Sequence, residues 1–130
     1  MREPTYYILA SLLDGPLHGY ALIKRSEDLS GGRVRLATGT LYTALDRLAA
    51  EGYVRLVSEE IVNGRVRRSY GLTDPGAAAL RAEAVRMAEA ARIVSDGTAA
   101  RSSRRARPER GSGQVTGSGT ARSGRKARTA

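Results

Sequence analysis

The chain has no cysteine, tryptophan or phenylalanine and a single histidine, His18. Without cysteine there are no disulfide staples and no thiolate metal sites. One histidine is too few for a histidine-based zinc site and has no evident partners for nucleophilic catalysis. The sequence also has no glycine-rich phosphate loop beside a strand and no cluster of carboxylates, so no enzyme activity and no cofactor are expected. Long apolar runs are missing too: none approaches the ~20 residues of a membrane span. The apolar part of MREPTYYILASLLDGP is too short, and turns helical too early, for a secretory signal. The expected location is the cytoplasm.

A different shortage marks the C-terminal part. All six tyrosines lie at or before Tyr70, Leu and Ile stop at Ile93, and from Asp96 onward Val115 is the only sizeable apolar residue. Such a segment buries too little surface to offset its ordering entropy, and GSGQVTGSGTARSGRKARTA has the composition of a flexible linker. Residues 96–130 are therefore expected to be a disordered basic tail. The charge is uneven in the same way. Residues 1–95 hold 13 Lys+Arg against 11 Asp+Glu, and residues 96–130 hold 9 against 2. Most of the formal +9 thus sits in the tail, and a basic excess of this kind suits a polyanionic partner such as nucleic acid or an acidic membrane surface.

The remaining residues read as one small domain. A first helix is expected from about Pro4 to Asp14, with Ile8, Leu9, Leu12 and Leu13 recurring at helical spacing, then a stop at Gly15-Pro16. A second, from about His18 to Leu29, carries Tyr20, Leu22 and Ile23 on its apolar side and ends at Ser30-Gly31-Gly32. The third is TGTLYTALDRLAAEGYV, with Thr38 as N-cap, a stripe of Leu41, Leu45 and Leu48, and Gly52 as the stop. Asn63-Gly64 between two β-branched runs then signals a hairpin with a two-residue type I′ turn. The turn sets a register in which Val62 faces Arg65, Ile61 faces Val66, Glu60 faces Arg67 and Glu59 faces Arg68. One hairpin face would carry Val57, Ile61, Val66, Tyr70 and Leu72 into the core. A last helix is expected from about Pro75 to Ser95, capped by Thr73 or Asp74, with a heptad-like seam of Leu80, Ala84, Met87, Ala91 and Val94.

Three helices, a hairpin and a further helix give a mainly α fold with a small β-hairpin: a winged helix-turn-helix over 1–73, followed by a helix over 74–95 and the tail. The blocks HGYALIKR (18–25), GTLYTALDRLAAEGYV (39–54) and GRVRRSYGLTDPG (64–76) resemble those of the PadR family of transcriptional regulators, in that family's order and spacing. The resemblance covers residues 4–95. It implies a sequence-specific DNA-binding regulator, most often a repressor, in which the last helix mediates a homodimer. The tight wing and the alanine-rich last helix without tryptophan depart from many relatives. A small effector remains an expectation with no pocket assigned.

Candidate DNA-binding residues follow from the faces of these elements. The outward face of the third helix is small and polar near its start, with Thr38, Gly39, Thr40 and Thr43, flanked by Tyr42 and Arg47. That composition suits a helix entering a major groove, where hydroxyls reach base edges and the helix N-terminus favours phosphate. Asp46, on the same face, is expected to pair with a nearby arginine or to accept from a cytosine amine. Arg65, Arg67 and Arg68 cluster at and behind the hairpin tip, where a wing meets phosphates. Glu59 and Glu60 oppose Arg68 and Arg67, whereas Arg65 has no acidic residue opposite. His18 is expected to cap its helix or to pack beside Tyr20, with a phosphate contact from this helix start as the alternative. Two other readings stay open at this point: a non-specific architectural DNA binder, and a winged helix used for protein–protein contact.

Overall fold

Pro4 falls in the first turn of helix α1 (Glu3–Ser11), where its missing N–H removes no intrahelical bond. This helix and the rest of residues 1–106 are described by a computed structural model; expectations for residues 107–130 lie outside the described residues. Helix α1 is shorter than its apolar pattern suggests. It stops at Ser11, and the chain turns through Gly15, whose φ of +136° favours glycine. Ile8, Leu9 and Leu12 are buried, but Leu13, on the turn, is exposed.

Leu17–His18 form a short strand, β1, that the sequence pattern did not announce. It pairs antiparallel with a later strand, Leu17 opposite Tyr70 and His18 opposite Ser69. The same histidine caps helix α2 (Gly19–Leu29), its Nδ1 accepting from the Ala21 N–H at 3.4 Å. Leu22 is fully buried, whereas Tyr20 is 72% exposed and does not join the apolar side expected of it. Ser11 and Ser26 meet at 3.2 Å between their hydroxyls, and Ser11 Oγ donates to the Tyr7 carbonyl, so both buried hydroxyls are satisfied.

The turn after α2 is held by Ser30. Its hydroxyl donates to the Glu27 carbonyl and accepts from the Val34 N–H at 2.8 Å. Helix α3 (Thr38–Ala50) follows, and Leu41, Leu45 and Leu48 are all fully buried. Each such leucine contributes roughly 1.5–3 kcal/mol through removal from water. The expected cap is displaced by one residue: Ala37 is the N-cap and offers no side-chain acceptor, so Thr38 is the first helical residue. Helix α3 closes at Gly52, with φ +83°.

Strands β2 (Val54–Val62) and β3 (Arg65–Leu72) form the hairpin. Asn63 and Gly64 both have positive φ, +53° and +77°, as a type I′ turn requires. All four pairs nearest the turn stand in the expected register, and the sheet order is β1-β3-β2. A bulge at Val57 then shifts the pairing, so that Leu56 faces Tyr70 and Ser58 faces Ser69. The hairpin face expected to enter the core does so only at its base. Tyr70 is buried and Leu72 half-buried, while Val57, Val66 and Ile61 are exposed, Ile61 at 76%. Alternation identifies a face of a strand but not whether another element lies beneath it, and the distal hairpin has none.

Thr73 links the hairpin to helix α4 (Asp74–Ala106). Its hydroxyl accepts from the Gly76 N–H at 3.0 Å and donates to the Gly52 carbonyl at 2.6 Å, tying the start of α4 to the end of α3. Gly76 lies against the Tyr53 backbone, where any Cβ would collide with the carbonyl oxygen. Leu80 is the last residue of the core formed by Ile8, Leu9, Leu12, Leu22, Leu41, Leu45, Leu48, Val54 and Tyr70. It therefore leaves the seam assigned to it, being 5% exposed within its own chain.

Residues 1–86 make one compact unit, and α4 from Met87 onward belongs to a second. In that second unit Met87, Ala91 and Val94 are exposed, as is Ile93. The helix does not end at Ser95 but continues to Ala106, so residues 96–106 are helical rather than disordered. Ala99, Ala100, Arg101, Arg104, Arg105 and Ala106 are strong helix formers, and Gly97 costs only about 1 kcal/mol. A helix nucleated upstream extends over such residues without a core of its own. Three helices, a small antiparallel sheet and α4 make a winged helix-turn-helix.

Candidate nucleic-acid interface

The start of α3 presents backbone as well as side chains. The first N–H groups of a helix have no intrahelical acceptor, and Ala37 as cap offers no side chain to claim them. Thr38, Gly39, Thr40 and Thr43 are all exposed around this end. Open amides, three hydroxyls and little bulk make a surface suited in chemistry to phosphate at its tip and base edges along its side.

The flanking residues divide. Tyr42 is half-buried; its ring lies 6.5 Å from that of Tyr70, and its hydroxyl packs on Gly19 so closely that a Cβ there would strike it. Tyr42 thus sets the packing of α3 on the start of α2, with its edge at the cleft. Arg47 turns away toward α1. It donates to Thr5 Oγ1 at 3.1 Å and lies 3.7 Å from the Glu51 carboxylate, so the structure does not gather it with Thr38–Thr43.

A cleft of about 580 Å³ opens between α2, α3 and the hairpin. Thr38 and Tyr42 line it from α3, His18 and Tyr20 from the start of α2, and Asn63, Arg65 and Arg67 from the wing. The three wing arginines are not equivalent. Arg68 donates to Glu59 at 2.6 Å, and that hydrogen bond holds the guanidinium proton more firmly than usual. Arg67 faces Glu60 across the strands, yet neither it nor Arg65 forms an ion pair among the described residues. Two cations therefore remain available at the cleft and one is spent within the hairpin. Tyr20 is an exposed aromatic at the cleft that sequence reasoning missed. Its position next to His18 at the helix start was the available signal, but its ring read as core.

Burial pushes the Tyr70 phenol above its usual range, with Arg68 acting against the shift and Asp46 adding to it. Asp46 is exposed on α3, and no arginine partner stands beside it among the described residues.

The family model described as the Transcriptional regulator PadR-like family matches residues 8–82, which run from within α1 through the wing to the first turns of α4. The chain belongs to the PadR-like family of transcriptional regulators. Transcriptional regulator Rv3488 of Mycobacterium tuberculosis is 41% identical over 92 residues, 70% of this chain and 81% of that protein. An uncharacterized 37.1 kDa protein in transposon TN4556 of Streptomyces fradiae is 46% identical over 87 residues, 67% of this chain but only 24% of its own length. Among solved structures, Bacillus subtilis PadR in complex with operator DNA is 25% identical with a TM-score of 0.58, covering 65% of this chain and 49% of that one. A PadR family regulator from Clostridium difficile, at 21% identity and a TM-score of 0.62, covers 75% of this chain and 99% of its own and shares the fold. No helix among the described residues is long and apolar enough to cross a membrane.

Proposed function

We propose that this PadR-like chain is a sequence-specific DNA-binding repressor that acts as a homodimer on a pseudo-palindromic operator. The observation that carries the reading is that Thr38, at the start of α3 where no side chain caps the helix, lines one cleft with the wing arginines Arg65 and Arg67, which form no ion pair among the described residues. In this reading Thr38, Gly39, Thr40 and Thr43 enter the major groove, while Arg65 and Arg67 hold phosphates. That a relative of the same fold has been solved on its operator supports the partner class. Dimerisation through Ala84, Met87, Ala91 and Val94 would place two α3 helices on half-sites about 10 bp apart. The exposed Met87, Ile93 and Val94 give the second unit of α4 apolar surface to bury against another copy.

A non-specific architectural role is the second reading, favoured by Arg101, Arg104 and Arg105 on the last turns of α4. Such a binder draws nearly all its affinity from counterion release and shows no preference between duplexes. Selection from a pool of random duplexes at moderate salt separates the two. Recovery of a two-fold motif is the outcome expected here; enrichment of no motif would overturn the sequence-specific reading.

A further inference from the structure

We propose that Asp46 is a base-reading residue that selects a cytosine in each half-site. The inference rests on the DNA-binding role proposed above and adds a residue to it. Gly39, Thr43 and Asp46 lie at i, i+4 and i+7 on α3, so they form one strip of its surface. All three are exposed. A helical side chain leans toward the N-terminus and covers the turn before its own Cα. Asp46 is thereby directed toward the turn that carries Thr43, the part of α3 assigned to the groove.

Among the described residues, Asp46 forms no ion pair. Arg68 lies on the same face of β3 as Tyr70, whose phenol feels the Asp46 charge, but its guanidinium is occupied by Glu59 at 2.6 Å. Arg47, one residue along α3, is turned to Thr5 and Glu51. A bare carboxylate facing DNA is repelled by phosphate unless a donor meets it. In the major groove, guanine offers N7 and O6 acceptors, thymine an O4 acceptor, and adenine sets its amine beside the N7 acceptor. Cytosine offers its N4 amine, the usual partner of an acidic side chain. An ionised carboxylate only accepts, so Asp46 admits cytosine and penalises the other bases.

The test compares the full chain with Asp46→Asn. Each is put through selection on random duplexes, and its binding is then measured on the winning site with every base pair replaced in turn. Asp46 is exposed, so the variant should unfold at the same temperature as the parent, which a melting curve checks. The parent should require a cytosine whose replacement weakens binding about tenfold, within the range of a single good base contact. The variant should lose that one requirement, keep the rest of the motif, and bind random duplex more tightly because a repulsive charge is gone. A motif and a set of penalties identical in both proteins would overturn the assignment of Asp46 alone. A parent that selects no motif would overturn the DNA-reading role and this assignment together.

Discussion

Arg65, Arg67 and Arg68 stand within four positions of one another, yet only two of them have charge to offer a ligand. Local pairing decides this, since Arg68 is paired with Glu59 whereas Arg65 and Arg67 line the cleft with no ion-pair partner among the described residues. Arg65→Ala should weaken binding to every duplex alike and flatten the plot of log affinity against log salt by about one unit. Replacing Glu59 and Arg68 together with glutamine should leave that slope as it was, because the pair carries no net charge; a change equal to that of Arg65→Ala would show that Arg68 also meets phosphate. Tyr70 gives a separate readout on stability. Its phenol is raised above 10.0, chiefly by burial, so the folded state holds that proton more tightly than the unfolded chain does. This contribution is present below pH 10 and is lost as pH rises through the raised value. Tyr70→Phe should therefore unfold less steeply with pH above that point in alkaline melts, and an unchanged pH profile would count against a buried phenol.

The elements differ in how far their sequences announced them. Asn63-Gly64 admits little besides a type I′ turn, so the register of the wing followed directly, down to Glu59 opposite Arg68. The Leu41, Leu45, Leu48 stripe likewise defined α3 and its inward side. Strand β1 was not legible, because two residues carry no period and its partner, β3, is some fifty positions away (His18 pairs with Ser69). The turning of Arg47 to Thr5 on α1 is also a long-range choice that local pattern does not contain. The end of α4 was misread for another reason: a run of arginine, serine and alanine lacks core residues, yet arginine and alanine favour helix wherever one has already started. Two outcomes follow for this helix. A chain cut after Ser95 should keep its thermal transition, since among the described residues no core residue lies beyond Leu80, while its far-ultraviolet circular dichroism loses the contribution of residues 96–106. If the chain pairs through α4 as proposed, Met87→Asp should convert dimers to monomers in light scattering, because a carboxylate in a close helix pair is costly to bury; a variant that stays dimeric would place the interface elsewhere.

At the scale of the whole molecule, the proposed DNA-binding role divides the work of binding between two kinds of surface. The α3 strip of Gly39, Thr43 and Asp46 carries hydroxyl and carboxylate groups and supplies no positive charge, so it can discriminate but attracts weakly. Arg65 and Arg67 on the wing, with the basic end of α4, attract without discriminating. A regulator built this way should lose total affinity steeply as salt rises while keeping its preference, because the discriminating contacts release few counterions. The measurement that tests this most directly is a binding titration of the intact chain on its selected duplex and on a scrambled duplex of equal composition, each at low and at near-physiological salt. The account predicts that both affinities fall in parallel and the selected duplex stays ahead, by at least about a thousandfold at the higher salt. Equal affinities for the two duplexes at both salt concentrations would contradict it.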